Sequence, residues 1–432
     1  MFKKNIIYAI SLFTLFSLCA QEDKLTLRFY GYTALNTYLD TRQVVGTRDG
    51  LIALYPAPPV YDARGNDINA KASYSYSVSE SRLGVEGTGP DIFCHVKPKG
   101  VFEADFAGTF EQATGSLRIR HAYLLLEGQR DKILLGQYWV PLCIPECFPQ
   151  KILSFNGGLP FDPSSRMPYI AYTHLFADKK YGFLAALVSQ QPGACSPGPD
   201  FDQPTEIDAV PVITSTSFIQ WAIMPNMHLR LFCKPVPECM CGISGDVKQL
   251  VPRLVTEFNT STHERVTSWI AQGFAAYSTD CWEFRSKLLY GQNGYDMGLI
   301  STYAVLTRDS DTDVRTYTPT ATVSCWCDVM RWFHNHTIVL GLFGGYCTNL
   351  GARHELYQDP ITDDPIIYTP YPNQKDVARV SPRIRYIKGP VDVGVEFEVT
   401  RASYGHINRY GGVYAAHGVT NFRLLSRLSY VF

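Results

Sequence analysis

Beyond its first twenty residues the chain has no apolar run approaching the roughly 18 consecutive residues that a membrane-crossing helix needs. The longest, such as Ile338 to Cys347, are short and broken by glycine. That excludes a helical span and says nothing about a barrel, whose hydrophobicity is hidden in alternation. A basic excess is missing too. The chain has 39 Lys and Arg against 40 Asp and Glu, which argues against nucleic acid as a partner. Neither G-x-S-x-G nor H-E-x-x-H occurs, so the nucleophile elbow and the zinc-protease helix are both absent. No repeat, linker or composition shift divides the sequence, and one domain is expected over residues 21–432.

The start of the chain reads as an export signal, residues 1–20. Lys3 and Lys4 are followed by an apolar stretch, Ile6 to Leu18, and cleavage is expected after Cys19 or Ala20. Without that segment, 37 basic residues face 40 acidic ones. Mean hydropathy is near zero, at -0.08, yet the chain holds 27 tyrosines and 24 phenylalanines. Aromatics in that number suit strands and interfacial girdles. The 12 cysteines fit an exported chain in a compartment where disulfides form. Only Cys143-x₃-Cys147 has a zinc-like spacing, and zinc needs two such pairs. Disulfides in loops are the stronger expectation, and the odd total left once Cys19 is removed implies at least one free thiol or an intermolecular bridge.

From Leu25 onward the pattern is strand after strand. Alternate residues of a strand point to opposite faces. In Asn421 to Phe432 one face is Phe422, Leu424, Ser426, Leu428, Tyr430 and Phe432, and the other carries Arg423 and Arg427. Val391 to Thr400 sets valines and Phe397 against Asp392, Glu396 and Glu398. Tyr74, Tyr76 and Val78 share the parity of Arg82, which implies a bulge or interior tyrosines. Leu117, Ile119, Tyr123 and Leu125 are read as one face, opposed to Arg118 and Arg120. Proline and glycine punctuate 40–69, 140–168 and 191–204, which are read as long loops. Short turns such as Lys388-Gly389-Pro390 alternate with those loops. The expected fold is all-β: a transmembrane antiparallel barrel of about 16 strands with apolar residues towards lipid.

Several stretches resemble Gram-negative trimeric porins, most of all the DcaP-like group. They are SRLGVEG at 81–87, GVFEADFAG at 100–108, LRIRHAYLLLE at 117–127, ILLGQYWVPL at 133–142 and SFNGGLPF at 154–161, with the terminal strand ending on Phe432. The chain departs from that group in having a strand already at Leu25 and in its many cysteines. The resemblance implies a homotrimer in outer-membrane lipid and passive diffusion of small solutes. It also implies a long loop, the one after Trp139, folded into the lumen. Tyr430 and Phe432 would serve as the signal read by the barrel-assembly machinery. Small anionic solutes such as organic acids are the implied cargo.

The charges point the same way. Arg118 and Arg120 share a strand face, and Glu103 and Asp105 face inwards on the strand before. They either pair into a rigid wall or form a charged eyelet that selects ion sign. Arg379, Arg383 and Arg385 make the strongest basic ladder, joined by Arg423, Arg427 and Arg28 where the barrel closes and opposed by Glu396 and Glu398. Guanidinium forks suit carboxylates, so an anion preference is expected, with Arg82 and the loop residue Arg166 as further lining candidates. No catalytic constellation and no cofactor is expected. His334-Asn335-His336 lacks a third ligand, and Asp309 to Asp313 has Val314 where a calcium loop needs glycine. The competing readings are an outer-membrane barrel enzyme or adhesin working through its loops, and a secreted glycan-binding β-sandwich.

Overall fold

The computed structural model describes residues 25–92, 95–109, 113–189 and 217–432. The expected export signal, Cys94 and the proline-rich stretch at 191–204 lie outside those residues. A single antiparallel sheet of sixteen strands closes on itself. The first strands are β1 (Thr26–Asp40), β2 (in two pieces, Ser73–Ser77 and Arg82–Thr88), β3 (Lys97–Asp105), β4 (Arg118–Glu127), β5 (Asp131–Trp139) and β6 (Arg166–Phe176). Next come β7 (Tyr181–Val188), β8 (Asn226–Cys233), β9 (Cys239–Leu250), β10 (Val266–Ser278) and β11 (again two pieces, Trp282–Gln292 and Tyr303–Arg308). The circuit ends with β12 (Arg315–Phe333), β13 (Ile338–Ala352), β14 (Gln374–Lys388), β15 (Val391–Ile407) and β16 (Val413–Val431). Closure pairs β1 with β16, for example Asn36 with Arg427 and Asp40 with Arg423.

Burial is inverted relative to a soluble protein. On β15, Glu396 is 1% exposed and its neighbour Phe397 is 42% exposed. On β16, Arg423 is 2% exposed, whereas Leu424 and Leu428 are 44% and 53% exposed. Charges inside and hydrophobes outside are what a lipid-facing barrel requires. A sandwich would do the opposite, and that reading falls with the closed sheet.

Two irregularities correct the strand parities. The break at 78–81 in β2 flips the side-chain alternation. Tyr74 and Tyr76 therefore join Leu83 on the outer face, each well exposed, and the bulge reading holds over interior tyrosines. In β4, Glu103 pairs with His121 and Ala104 with Ile119, which leaves Arg120 as an extra residue. Arg118, Arg120 and His121 are all buried inside as a result. Tyr123 and Leu125, expected outside, turn inwards: Tyr123 packs against Tyr138 with ring centroids 5.0 Å apart. Residues Pro211 to Ile223 have a composition that suggests one more strand. Their described part is a short helix, Ser217–Ala222.

The short connections lie at one end, such as Lys388 to Val391, and the long ones at the other. Two long connections, 41–72 and 140–165, fold into the barrel. Inside it they build a partly apolar core with inward residues of the wall: Tyr55, Ile144, Cys147 and Phe161 from the loops meet Phe274, Trp326 and Phe343.

Candidate functional site: the loop-filled barrel interior

The connection after Trp139 lies across the interior and is stapled to the far wall. Lys287 on β11 donates to Asp162 Oδ1 at 2.6 Å and to the Leu142 carbonyl at 3.1 Å. Trp326 Nε1 on β12 reaches the same carboxylate at 3.2 Å, and Ser324 Oγ donates to the Phe161 carbonyl at 2.7 Å. Burial pushes the Asp162 carboxyl above its usual range, and the Lys287 ammonium pulls against that. Glu396 accepts from Leu153 N at 2.6 Å. The Cys147 thiol donates to the carbonyls of Ala275 and Ser286. Burial pushes the Cys143 thiol up to about 12 and the Cys147 thiol up to about 11, so both are inert at neutral pH. Lys151 is pushed down, by burial and by the neighbouring Arg385 charge.

A second inward segment was not anticipated. Within 41–72, Val44–Thr47 and Ile52–Pro56 form a small hairpin inside the barrel. Ala53 N donates to Asn156 Oδ1 at 2.8 Å, which ties this hairpin to the first loop. Tyr404 OH on β15 donates to the Pro56 carbonyl at 2.7 Å. The signal was present in the sequence, in inward positions of the wall that are apolar. Phe274, Trp326 and Phe343 would be wasteful in a purely aqueous lumen, and they mark where the loops land.

The predicted basic ladder is inside the barrel, and its members are engaged. Arg379 meets Glu398 at 2.9 Å and donates to the carbonyls of Leu159 and Leu54, gripping both inward loops. Arg383 meets Asp328 at 2.7 Å and the Gln150 carbonyl at 2.7 Å. Arg385 pairs with Asp392. Arg423 stacks over Tyr38, 4.4 Å from the ring centroid, and donates to the Gly50 carbonyl at 2.5 Å. Arg427 contacts Glu80 at 2.5 Å. Closure thus brings Arg423 and Arg427 to β1, whereas Arg28 sits at the opposite rim, exposed, in register with Glu86 on β2. Tyr430 and Phe432 face outwards. Phe432 and Gly31 exchange backbone hydrogen bonds at 3.0 Å. A Cβ on Gly31 would lie 2.3 Å from the Arg82 carbonyl oxygen and 3.1 Å from the Phe432 ring, so only glycine admits that approach.

The second arginine group surrounds β2 to β6. Arg118 grips Asp105 with two hydrogen bonds of 2.8 Å. Arg120 bridges Glu103 at 2.8 Å and Asp105 at 2.9 Å, and Arg82 approaches Glu103 at 3.5 Å. Arg118, Arg120, Glu103 and Asp105 are buried, and Arg82 is half-buried. Arg166 is the first residue of β6 rather than a solvated loop residue. Its guanidinium lies 3.9 Å from the Trp139 ring centroid, and that of Arg120 lies 5.9 Å from the same ring.

Among the described residues the loops border two chambers. The one towards the long loops, about 490 Å³, has Arg48, Arg118, Arg166 and Asp296 as its charged lining. Asp296 is held by Lys248 at 2.7 Å. The one towards the short turns, about 320 Å³, is lined by Leu125, Tyr138, Tyr169 and Arg230 among others. Trp139 borders both and packs against Phe148 of the inward loop, ring centroids 5.7 Å apart. At the acidic tip Asp309 and Asp311 are exposed, as a solvated loop tip would have them, whereas its last residue is not. Asp313 is buried and contacts Arg253, Arg308 and Arg315 at 2.7, 2.6 and 3.0 Å.

No protein-family model and no curated protein matches the sequence. Solved structures do match in fold. The outer membrane channel DcaP of Acinetobacter baumannii aligns over 95% of this chain and 99% of its own, with a TM-score of 0.64 and 14% identity. OmpT of Vibrio cholerae in its trimer form aligns over 95% and 100%, with a TM-score of 0.53 and 12% identity. An anion-selective porin from Comamonas acidovorans aligns over 95% and 100%, with a TM-score of 0.52 and 9% identity. At such identities the likeness establishes a porin-like outer-membrane barrel fold, and the resemblance read in the sequence is borne out at that level.

Proposed function

We propose that this porin-like barrel is a diffusion channel of the bacterial outer membrane, passing small hydrophilic solutes and favouring anions, organic acids among them. The observation that supports the anion preference is the charge around the larger chamber: Arg48, Arg118 and Arg166 line it against Asp296, with Lys248 engaging Asp296 and Asp105 engaging Arg118. A ring of fixed charge selects ions of the opposite sign, and a guanidinium presents a fork matched to a carboxylate. Arg82 and Arg120 stand behind that lining, with Glu103 and Asp105 as their counter-ions. The channel works by diffusion, without cofactor or catalytic step. Export by residues 1–20, assembly through Tyr430 and Phe432, and trimerisation in outer-membrane lipid complete the reading. The trimer form of the Vibrio barrel supports the last of these.

The test is conductance of the purified chain in a planar bilayer under a salt gradient. Discrete steps with a reversal potential on the anion side are expected. A cation-side potential would overturn the charge assignment. A folded barrel without conductance would overturn the channel and turn attention to the long loops as an enzymatic or adhesive surface.

A further inference from the structure

Among the described cysteines, two stand apart from the buried thiols of the inward loop. Cys233 is the last residue of β8 and Cys241 lies near the start of β9, directly opposite it in register. Both fall on the outward parity of their strands, with Leu231 and Ile243, and both are partly exposed. Their sulfur atoms are 3.3 Å apart. A disulfide needs about 2.05 Å between sulfurs and Cβ atoms about 3.5–4.5 Å apart, and directly opposed residues of an antiparallel pair already sit near that Cβ spacing. Bond formation therefore asks for a side-chain adjustment, not a backbone one. Other cysteines are placed differently. Cys147 donates to two wall carbonyls, Cys143 and Cys347 are buried, and Cys325 and Cys327 sit two apart on one strand, where side chains run parallel.

We infer that Cys233 and Cys241 form a cross-strand disulfide that clamps the β8–β9 hairpin at the short-turn rim of the barrel. The pair spans the turn 234–238, which carries Pro235 and Pro237, so the clamp closes a hairpin whose turn is already stiff. One thiolate attacks a disulfide-bearing oxidant of the exported compartment, giving a mixed disulfide. The second thiolate displaces it. Two thiol protons and two electrons leave the pair, and the oxidant departs as a dithiol. The inference rests on the exported location proposed above.

The test is thiol mapping on the full chain, isolated from membranes and alkylated with iodoacetamide before unfolding. The expected result is a cross-linked peptide pair joining Cys233 to Cys241, about 2 Da lighter than the two thiol forms, with neither residue alkylated until reduction. Cys233→Ser should make Cys241 alkylable, which identifies its partner as Cys233 and not the neighbouring Cys239. Alkylation of both residues without reduction, in native protein and again after treatment with oxidised glutathione, would overturn the pairing. So would a Cys239–Cys241 link. Closure only after glutathione treatment would uphold the pairing and count against the exported location. Bilayer conductance is measured on the same samples and reports on the channel independently.

Discussion

The barrel uses arginine in two ways, and the two groups stand on different parts of the wall. On β14 and β16 the guanidiniums of Arg379, Arg383, Arg385, Arg423 and Arg427 meet Glu398, Asp328, Asp392, Asp40 and Glu80, while three of them also hold backbone carbonyls of the inward loops. Charge there is cancelled, and the arginines act as struts. Around β2 to β6, Arg82, Arg118, Arg120 and Arg166 stand with Glu103 and Asp105, and two of them open onto the larger chamber. The lesson is that a ladder of like charges in sequence is not a field in space. What the facing strand carries decides between the two.

If that contrast is right, the largest effect on stability comes from breaking a strut. Arg383 and Asp328 are both shut off from solvent. Asp328→Ala leaves a buried guanidinium without its counter-charge, a loss of about 3–5 kcal/mol. The folded barrel of this variant should lose its fast gel migration at a clearly lower temperature or urea concentration, with the reversal potential unmoved. The double variant Asp328→Leu, Arg383→Leu should recover much of the loss, because replacing a whole buried pair by apolar groups is often neutral. A large selectivity change in Asp328→Ala would erase the contrast.

The opposite behaviour is expected at Arg166. Arg166→Gln removes a charge beside the permeation space while leaving Trp139 in place. A unit charge about 7 Å from a passing ion in water-like surroundings contributes about 0.6 kcal/mol. The anion loses that attraction and the cation loses an equal repulsion, so the anion-to-cation permeability ratio should fall about eightfold with little change in thermal stability. Measured reversal potentials under a salt gradient check this, and an unchanged ratio would remove Arg166 from the selective lining. Trp139→Ala probes the partition itself. Taking away the ring that borders both chambers should raise single-channel conductance more than it changes selectivity, and an unaltered conductance would place the narrow point elsewhere.

Much of this was legible in alternation. Val391 to Thr400 and Asn421 to Phe432 have the inner and outer faces that their parity announces, and Glu103, Asp105, Arg118 and Arg120 pair across neighbouring strands, one of the two arrangements their parity left open. Alternation fails wherever one residue is inserted. The extra residue at Arg120 reverses every parity after it, which is why Tyr123 and Leu125 were placed on the wrong face. It also cannot say which loop enters the lumen. The hairpin at Val44 to Pro56 is held by contacts distant in sequence, Arg379 to Leu54 and Tyr404 to Pro56, and nothing local marks it. Glu398 opposite Arg379 was legible in the adjacent strand, but the partner of Arg383 was out of reach, since Asp328 comes from β12, two strands away.

The smallest effect is expected where arginines gather outside the wall, at Asp313. Burial pushes this carboxyl up, but Arg253 and Arg315 outweigh burial and hold it below the ordinary carboxylate range. A group depressed in the folded state contributes stability that is present above its unfolded value, about 3.9, and is lost as pH falls through the lowered folded value. Amide exchange in 251–265 and 309–314 should therefore stay slow from neutral pH down to about 4 and quicken only below it. Asp313→Asn should abolish that acid step and weaken the local protection at neutral pH by about 1–3 kcal/mol, since three guanidiniums lose a charged acceptor. Conductance should not change, because this cluster sits at the long-loop ends of β11 and β12 and lines neither chamber. A change in selectivity on acidification through pH 4 that Asp313→Asn removes would mean that charges beyond the wall also steer ions, and the division between strut and field would have to be redrawn to include the loops.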